Sequence, residues 1–218
     1  MDSKRFPGKP LASIAGKPMI KRVYESAVAC PEFKKVYIAT NSPEITDLKL
    51  PGIYTDGIYR NGSERVAHTA RIFQLSADEI VFNIQGDQVV FPQHIIADML
   101  LCFEDLAVNV VTAGHKLFVR DMNNSGMVFV TVDSNGYSES FSRKYPDRQA
   151  YGHVGIYAYR NRYLQKYAQL SQTQNEKDHI LEQLRIMENG EKIKVVLTDE
   201  PCNSVNTIDD IKIIERMI

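Results

Sequence analysis

Six consecutive residues, Glu79-Ile80-Val81-Phe82-Asn83-Ile84, constrain this chain more than any others. The run is β-prone and almost continuously apolar, the pattern of a strand buried on both faces rather than one with a wet side. Further β-prone runs stand at 35–40, 53–55, 108–112 and 192–197, and the stretches between most of them carry helical spacing. Strands alternating with helices build βαβ units, so the expected fold class is α/β, Rossmann-like, with a mainly parallel sheet. Ligands of such sheets sit at the carboxyl ends of strands. At the end of this strand stand Gln85-Gly86-Asp87.

Helices are expected from about 18 to 29, with Ile20, Val23, Tyr24 and Ala27 on one face, and over 63–75, 92–103, 160–170, 176–188 and from 207 onward. One part breaks the alternation. Residues 127–132 and 137–142 flank Ser134-Asn135-Gly136, a hairpin signature, and 152–159 is a further strand. These segments are expected to form an antiparallel excursion, about 127–159, within a single domain spanning 1–218.

The chain's 218 residues suffice for one sizeable core. A net charge of −1 gives no global case for nucleic acid or an anionic membrane, so an anionic ligand must meet a local cluster. Neither a membrane-spanning apolar run nor a signal-peptide core is present, and a cytoplasmic location is the default expectation. Cys30, Cys102 and Cys202 are odd in number and far apart, which points to reduced, mostly buried thiols rather than a metal site.

The local cluster is at the N-terminus. Lys4, Arg5 and Lys9 surround Phe6-Pro7-Gly8. Pro7 stiffens the turn and Gly8 lets backbone approach a ligand, so Arg5 and Lys9 could lie along a polyphosphate. A basic terminus is more often simply solvated. Asp87 at a strand end reads either as a loop cap or as a carboxylate that can hold Mg2+ against such a ligand, since Mg2+ commonly uses one or two protein carboxylates plus phosphate oxygens. By itself, Ser63 reads as a helix N-cap with Glu64 in the first turn. Taken alone, His153 reads as a structural histidine, and Glu182 and Gln183 as an exposed helix face.

The order Arg5-Phe6-Pro7-Gly8-Lys9-Pro10-Leu11, Asn61-Gly62-Ser63-Glu64-Arg65, Gln85-Gly86-Asp87, Phe141-Ser142-Arg143, His153-Val154-Gly155-Ile156-Tyr157 and Leu181-Glu182-Gln183-Leu184-Arg185 runs over essentially the whole chain. It resembles the cytidylyltransferases that activate sugar acids, most closely those acting on 3-deoxy-manno-octulosonate (Kdo). The resemblance implies a nucleotidyltransferase that joins CMP from CTP to the anomeric hydroxyl of Kdo or 8-amino-Kdo. Pyrophosphate leaves, and the product feeds lipopolysaccharide synthesis.

By resemblance, Arg5 and Lys9 meet the triphosphate, and Ser63, Arg65 and Gln85 belong to the nucleotide site. Arg143, His153, Tyr157, Glu182 and Gln183 face the sugar acid, and Asp87 with position 206 holds Mg2+. A cytoplasmic homodimer is implied.

Three departures stand out. Asn206 replaces the second metal-binding Asp, Gln88-Val89 replaces Glu-Pro, and Phe129 stands where relatives often carry Lys. The family also places an apolar strand ending in Pro-Ala-Arg directly before the basic loop, so a central strand and one phosphate-contacting Arg are expected to be lacking here. These departures keep two alternatives open: a different sugar acid, or a degenerate, non-catalytic relative.

Overall fold

The computed structural model describes residues 6–118, 121 and 126–218. A 3-10 turn at Lys9–Leu11 follows Gly8, whose φ of 69° is the left-handed conformation glycine adopts without cost. A minute hairpin, β1 (Ser13–Ile14) and β2 (Lys17–Pro18), precedes α1 (Met19–Val28), so this helix starts slightly later than its sequence suggests. Met19, Ile20, Val23 and Ala27 form its buried face. Next come β3 (Ile38–Thr40), α2 (Pro43–Thr46), β4 (Gly52–Tyr54) and α3 (Gly62–Ile72). The run Ile80–Ile84 is β5, followed by β6 (Gln88–Val90), α4 (His94–Leu101) and β7 (Val110–His115).

The predicted hairpin forms as β8 (Phe129–Val132) and β9 (Ser138–Ser142), with Gly136 at φ 77° in its turn. A ten-residue strand, β10 (Tyr151–Arg160), leads into α5 (Asn161–Gln169). The helix expected over 176–188 is two: α6 (Gln174–His179) and α7 (Glu182–Glu188). Ile180 breaks it, at a left-handed φ of 55° that no composition rule assigns to a β-branched residue. The chain closes with β11 (Ile193–Thr198), β12 (Asn203–Ser204) and α8 (Ile208–Ile214).

β10 is the centre of the sheet, not part of an excursion from it. Along one edge it pairs antiparallel with β7, and along the other its second half pairs with β5 while its first residues reach β8. β11 lies parallel to β7. Thus β5, β7 and β11 share one direction and β10 runs against them, making a mixed central sheet. The antiparallel extension is β8 and β9, which take up the start of β10.

Alternation along β10 divides the core. Val154, Ile156 and Ala158 pack with Ile95, Ile96 and Met99 of α4 on one face, together with Val111 and Ala113. Tyr157 and Tyr159 pack on the other with Tyr163, Leu164 and Tyr167 of α5 and Ile186 of α7. Burying each such side chain contributes roughly 1.5–3 kcal/mol.

β5 departs from its expected burial on both faces. Asn83 alone among its residues is buried, and among the described residues the strand is hydrogen-bonded only on its β10 side. A groove of about 970 Å3 lies along the other side, with residues 36–39 opposite residues 79–84 and α1 and α3 contributing to its walls.

Candidate functional site

A cavity of about 780 Å3 opens at the carboxyl end of β5. Its first half is built by a tight turn, in which the Gln88 amide donates to the Gln85 carbonyl (2.9 Å) and Asp87 is held between them. β12 pairs antiparallel with β6, and the Val205 amide donates to the Asp87 carbonyl (2.9 Å), bringing residues 203–206 against the turn. The Lys9 ammonium forms an ion pair with the Asp87 carboxylate and donates to the Val205 carbonyl at 3.0 Å. Asn206 lines the same space. Thr207 and Asp210 form a capping box on α8, and the Asp210 carboxylate also accepts from the Asn206 amide (2.8 Å), which fixes that residue's backbone. Asp210 is therefore the N3 partner of the Thr207 cap. Arg5 lies outside the described residues.

The second half is set by β10 and α7. His153 packs edge-on against Phe141 and bonds Thr112 Oγ1 (2.9 Å). Burial holds its pKa down at about 3, with His115 adding to the effect, so the ring is neutral at physiological pH. Tyr157 is fully buried and accepts a hydrogen bond from Gln183 Nε2 at 2.5 Å. The Arg143 guanidinium donates to the carbonyls of His179 and Ile180 (3.1 Å each), securing the break between α6 and α7 while lining the cavity.

Ser63 is fully buried and is not the helix cap. Asn61 caps α3, its Oδ1 accepting from the Glu64 amide at 3.0 Å. Ser63 Oγ instead meets Asn83 Nδ2 (3.1 Å), the Tyr159 hydroxyl (3.0 Å) and Glu182 Oε1 (3.3 Å). A hydroxyl has one donor and two acceptor positions. Asn83 and Tyr159 therefore donate to Ser63, and Ser63 donates to Glu182. Burial raises the Glu182 carboxyl to about 7 despite that bond.

Glu182 and Gln183 are consequently not an exposed helix face. Glu182 Oε2 and Gln183 Oε1 are buried with no protein partner, and both residues line the cavity. Arg65 stands apart: its guanidinium bonds Thr55 Oγ1 (2.7 Å), lies over the Tyr59 ring and lines the groove beside β5.

Sequence reasoning missed the support beneath these groups. Arg185, fully buried, bonds Glu64 Oε1 (2.7 Å) and both Glu176 oxygens (2.5 and 2.7 Å). Burial opposes its charge, but the two carboxylates outweigh it and hold the guanidinium above its ordinary pKa. Glu64 also pairs with Arg60 at the cavity wall. Arg185 closes the Leu181–Arg185 motif, but nothing local separates a buried Arg from a solvated one on an expected helix over 176–188. Gln88 also lines the cavity. Only 2% exposed, it takes a backbone partner at each end of its amide.

The family described as Cytidylyltransferase matches residues 1–193. The chain belongs to that family. Among the cytidylyltransferases it is similar to, the 3-deoxy-manno-octulosonate cytidylyltransferase of Lawsonia intracellularis is 35% identical over 99% of this chain and 90% of its own length. The 8-amino-3,8-dideoxy-manno-octulosonate cytidylyltransferase of Shewanella pealeana is also 35% identical, over 99% and 94%. A solved structure of CMP:2-keto-3-deoxy-manno-octonic acid synthetase complexed with CTP superposes with a TM-score of 0.84 at 31% identity, covering 99% of this chain and 93% of that one.

Proposed function

We propose that this chain transfers CMP from CTP to the anomeric hydroxyl of Kdo or its 8-amino analogue and releases pyrophosphate. The observation that carries the reading is the division of one cavity into a cationic and carboxylate end, Lys9 with Asp87, and an end with two orphaned buried acceptors, Glu182 and Gln183. A polyol supplies the donors those acceptors lack. Arg143, on the cavity wall, suits the sugar's carboxylate. The relatives' names and the CTP of the solved neighbour support the same pair of substrates.

The donor set fits Mg2+ arriving with the nucleotide. Among the described residues no three His, Cys, Asp or Glu converge, so a cage made by the protein alone is not available. Asp87 gives one carboxylate, and Asn206, whose amide nitrogen is engaged by Ser204 Oγ (3.2 Å), offers its oxygen. Asp87 and Asn206 would hold the ion there, and it would supply neutralisation of triphosphate charge. Lys9 exchanges Asp87 for the departing pyrophosphate, where charge develops. His153, uncharged and wedged by Phe141, and Tyr157 orient the acceptor without exchanging protons. The reading includes a homodimer in the cytoplasm, supplying lipopolysaccharide synthesis. Among the described residues no helix is long and apolar enough to cross a membrane.

Pyrophosphate release with CTP, Mg2+ and Kdo tests the reading, run beside Asn206→Asp and Asp87→Ala. Turnover in the parent that Asp87→Ala abolishes without loss of fold upholds it. Turnover only in Asn206→Asp favours the second reading, a relative silenced at position 206. A folded parent and Asn206→Asp variant that are both silent refute the transferase assignment.

A further inference from the structure

β10 carries a bulge beside the cavity: Val154 is opposite Ala113 of β7, but the next paired residue, Tyr157, is opposite Thr112. Residues 155 and 156 are thereby displaced from the β7 ladder, and their backbone groups need other partners. They find them in side chains and in the turn after β5. The Gly155 carbonyl accepts from the Gln85 amide (2.9 Å), the Gly155 amide donates to Gln88 Oε1 (3.0 Å), and the Ile156 carbonyl accepts from Thr112 Oγ1 (2.8 Å). The other end of the Gln88 amide donates to the Val90 carbonyl at 3.0 Å.

Two features make this a built connection. The β5 ladder with β10 ends at Ile84 and Ile156, and the Gln88 side chain supplies the next acceptor after the β5 backbone has turned away. Gly155 is also tightly fitted, since an added Cβ would stand 3.0 Å from Gln85 Oε1. Thr112 Oγ1 bonds His153 as well as Ile156. One series of hydrogen bonds therefore runs from His153 through the bulge to Gln88, the residue after Asp87.

We propose that Gln88 is a positioning residue that, through the Gly155 bulge, sets Asp87 in register with His153 and Tyr157. The inference rests on the transferase reading for the roles of those three residues. Glutamine suits the task because it accepts at one end and donates at the other. Leucine fills similar space and does neither. Glutamate keeps the acceptor for Gly155.

The test compares the parent with Gln88→Leu and Gln88→Glu by three measurements: exchange of the Gly155 amide, Mn2+ affinity with CTP present followed by electron paramagnetic resonance, and kcat and KM for pyrophosphate release. In Gln88→Leu the Gly155 amide is expected to exchange at least about 10-fold faster and Mn2+ affinity to fall about 10-fold. kcat should drop while the KM for CTP holds. Gln88→Glu keeps the acceptor for Gly155 and is expected to recover most of the loss in exchange protection.

A folded Gln88→Leu with parental exchange and Mn2+ affinity overturns the proposal, as does a Gln88→Glu no better than it. Should Gln88→Leu fail to fold, the parent decides: a Gly155 amide exchanging as fast as an exposed loop amide overturns the proposal, and one protected like its β10 neighbours upholds it. A parent without turnover refutes the transferase reading alone, because exchange and Mn2+ binding still judge Gln88.

Discussion

β5 and β7 flank the same strand, run in the same direction and are similarly rich in β-branched and apolar residues, yet their surroundings differ. Every residue of β7 is buried, between β10 and β11 and beneath α4. In β5 only Asn83 is buried, and one edge of the strand borders a groove. Burial here follows from what pairs with a strand's second edge, not from the strand's own sequence. On the β7 side and under α5 and α7 the molecule can enclose charges and phenols. On the β5 side it keeps solvent within reach of the core.

The sharpest way to break this contrast is at the enclosed side's buried charges. Arg185→Met leaves Glu64 and Glu176 buried without their cation and is expected to lower unfolding free energy by about 3–5 kcal/mol in urea titrations. A loss below about 1 kcal/mol would mean that the enclosure is wetter than described.

Glu182 gives the next largest effect, and it depends on pH. Its folded pKa, about 7, is raised above the ordinary 4.5. Between those values the native state binds more protons than the unfolded chain, so this group's contribution is fully present below 4.5 and is lost as pH rises towards and through 7. The loss is roughly 3 kcal/mol. Glu182→Gln should remove it, so the parent minus variant stability should decline from pH 4.5 to 8. A flat difference would overturn the assignment.

The same substitution on the two strands sharpens the comparison directly. Val111→Ala, in β7, is expected to cost about 2 kcal/mol, whereas Val81→Ala, in half-buried β5, should cost under about 1 kcal/mol. Equal losses in thermal or urea melts would erase the difference. Smallest of all, Lys17→Ala removes an exposed pair with Glu25 and should shift stability by no more than about 0.5 kcal/mol.

Much of the fold could be read from the chain because it rests on local signals. The apolar run of β5, the Asn135-Gly136 hairpin, the buried face of α1 and the Thr207 capping box each declare themselves within a few residues. The place of β10 does not, since its partners lie far along the chain. Tyr157 and Tyr159, alternating with small residues, suggest a strand but not which strands it joins. In the site, Lys9, Asp87 and Asn206 converge as their motifs suggest, and the cavity gathers His153, Tyr157, Glu182 and Gln183. Arg65 and Ser63 share a motif but separate, because neighbouring positions on α3 point in different directions. The motifs include Arg185 and Glu64, and Gln88 stands out as a departure, but the roles of all three were illegible: each is defined by partners that only tertiary structure brings near.

The position of β10 also orders events in time. Ile84 pairs with Ile156, Tyr157 with both Asn83 and Thr112, and Tyr151 with Val130. As the chain is synthesised, β5 emerges about seventy residues before the strand that completes its ladder, and β7 about forty before it. Closing loops of that length makes β10 a late arrival. Until it docks, β5 has no strand on either edge among the described residues, the state in which strands associate with other chains. Aggregation during refolding should therefore depend on how quickly residues 151–160 find the sheet, and a substitution that slows β10 would lower the yield of soluble protein more than its effect on native stability suggests.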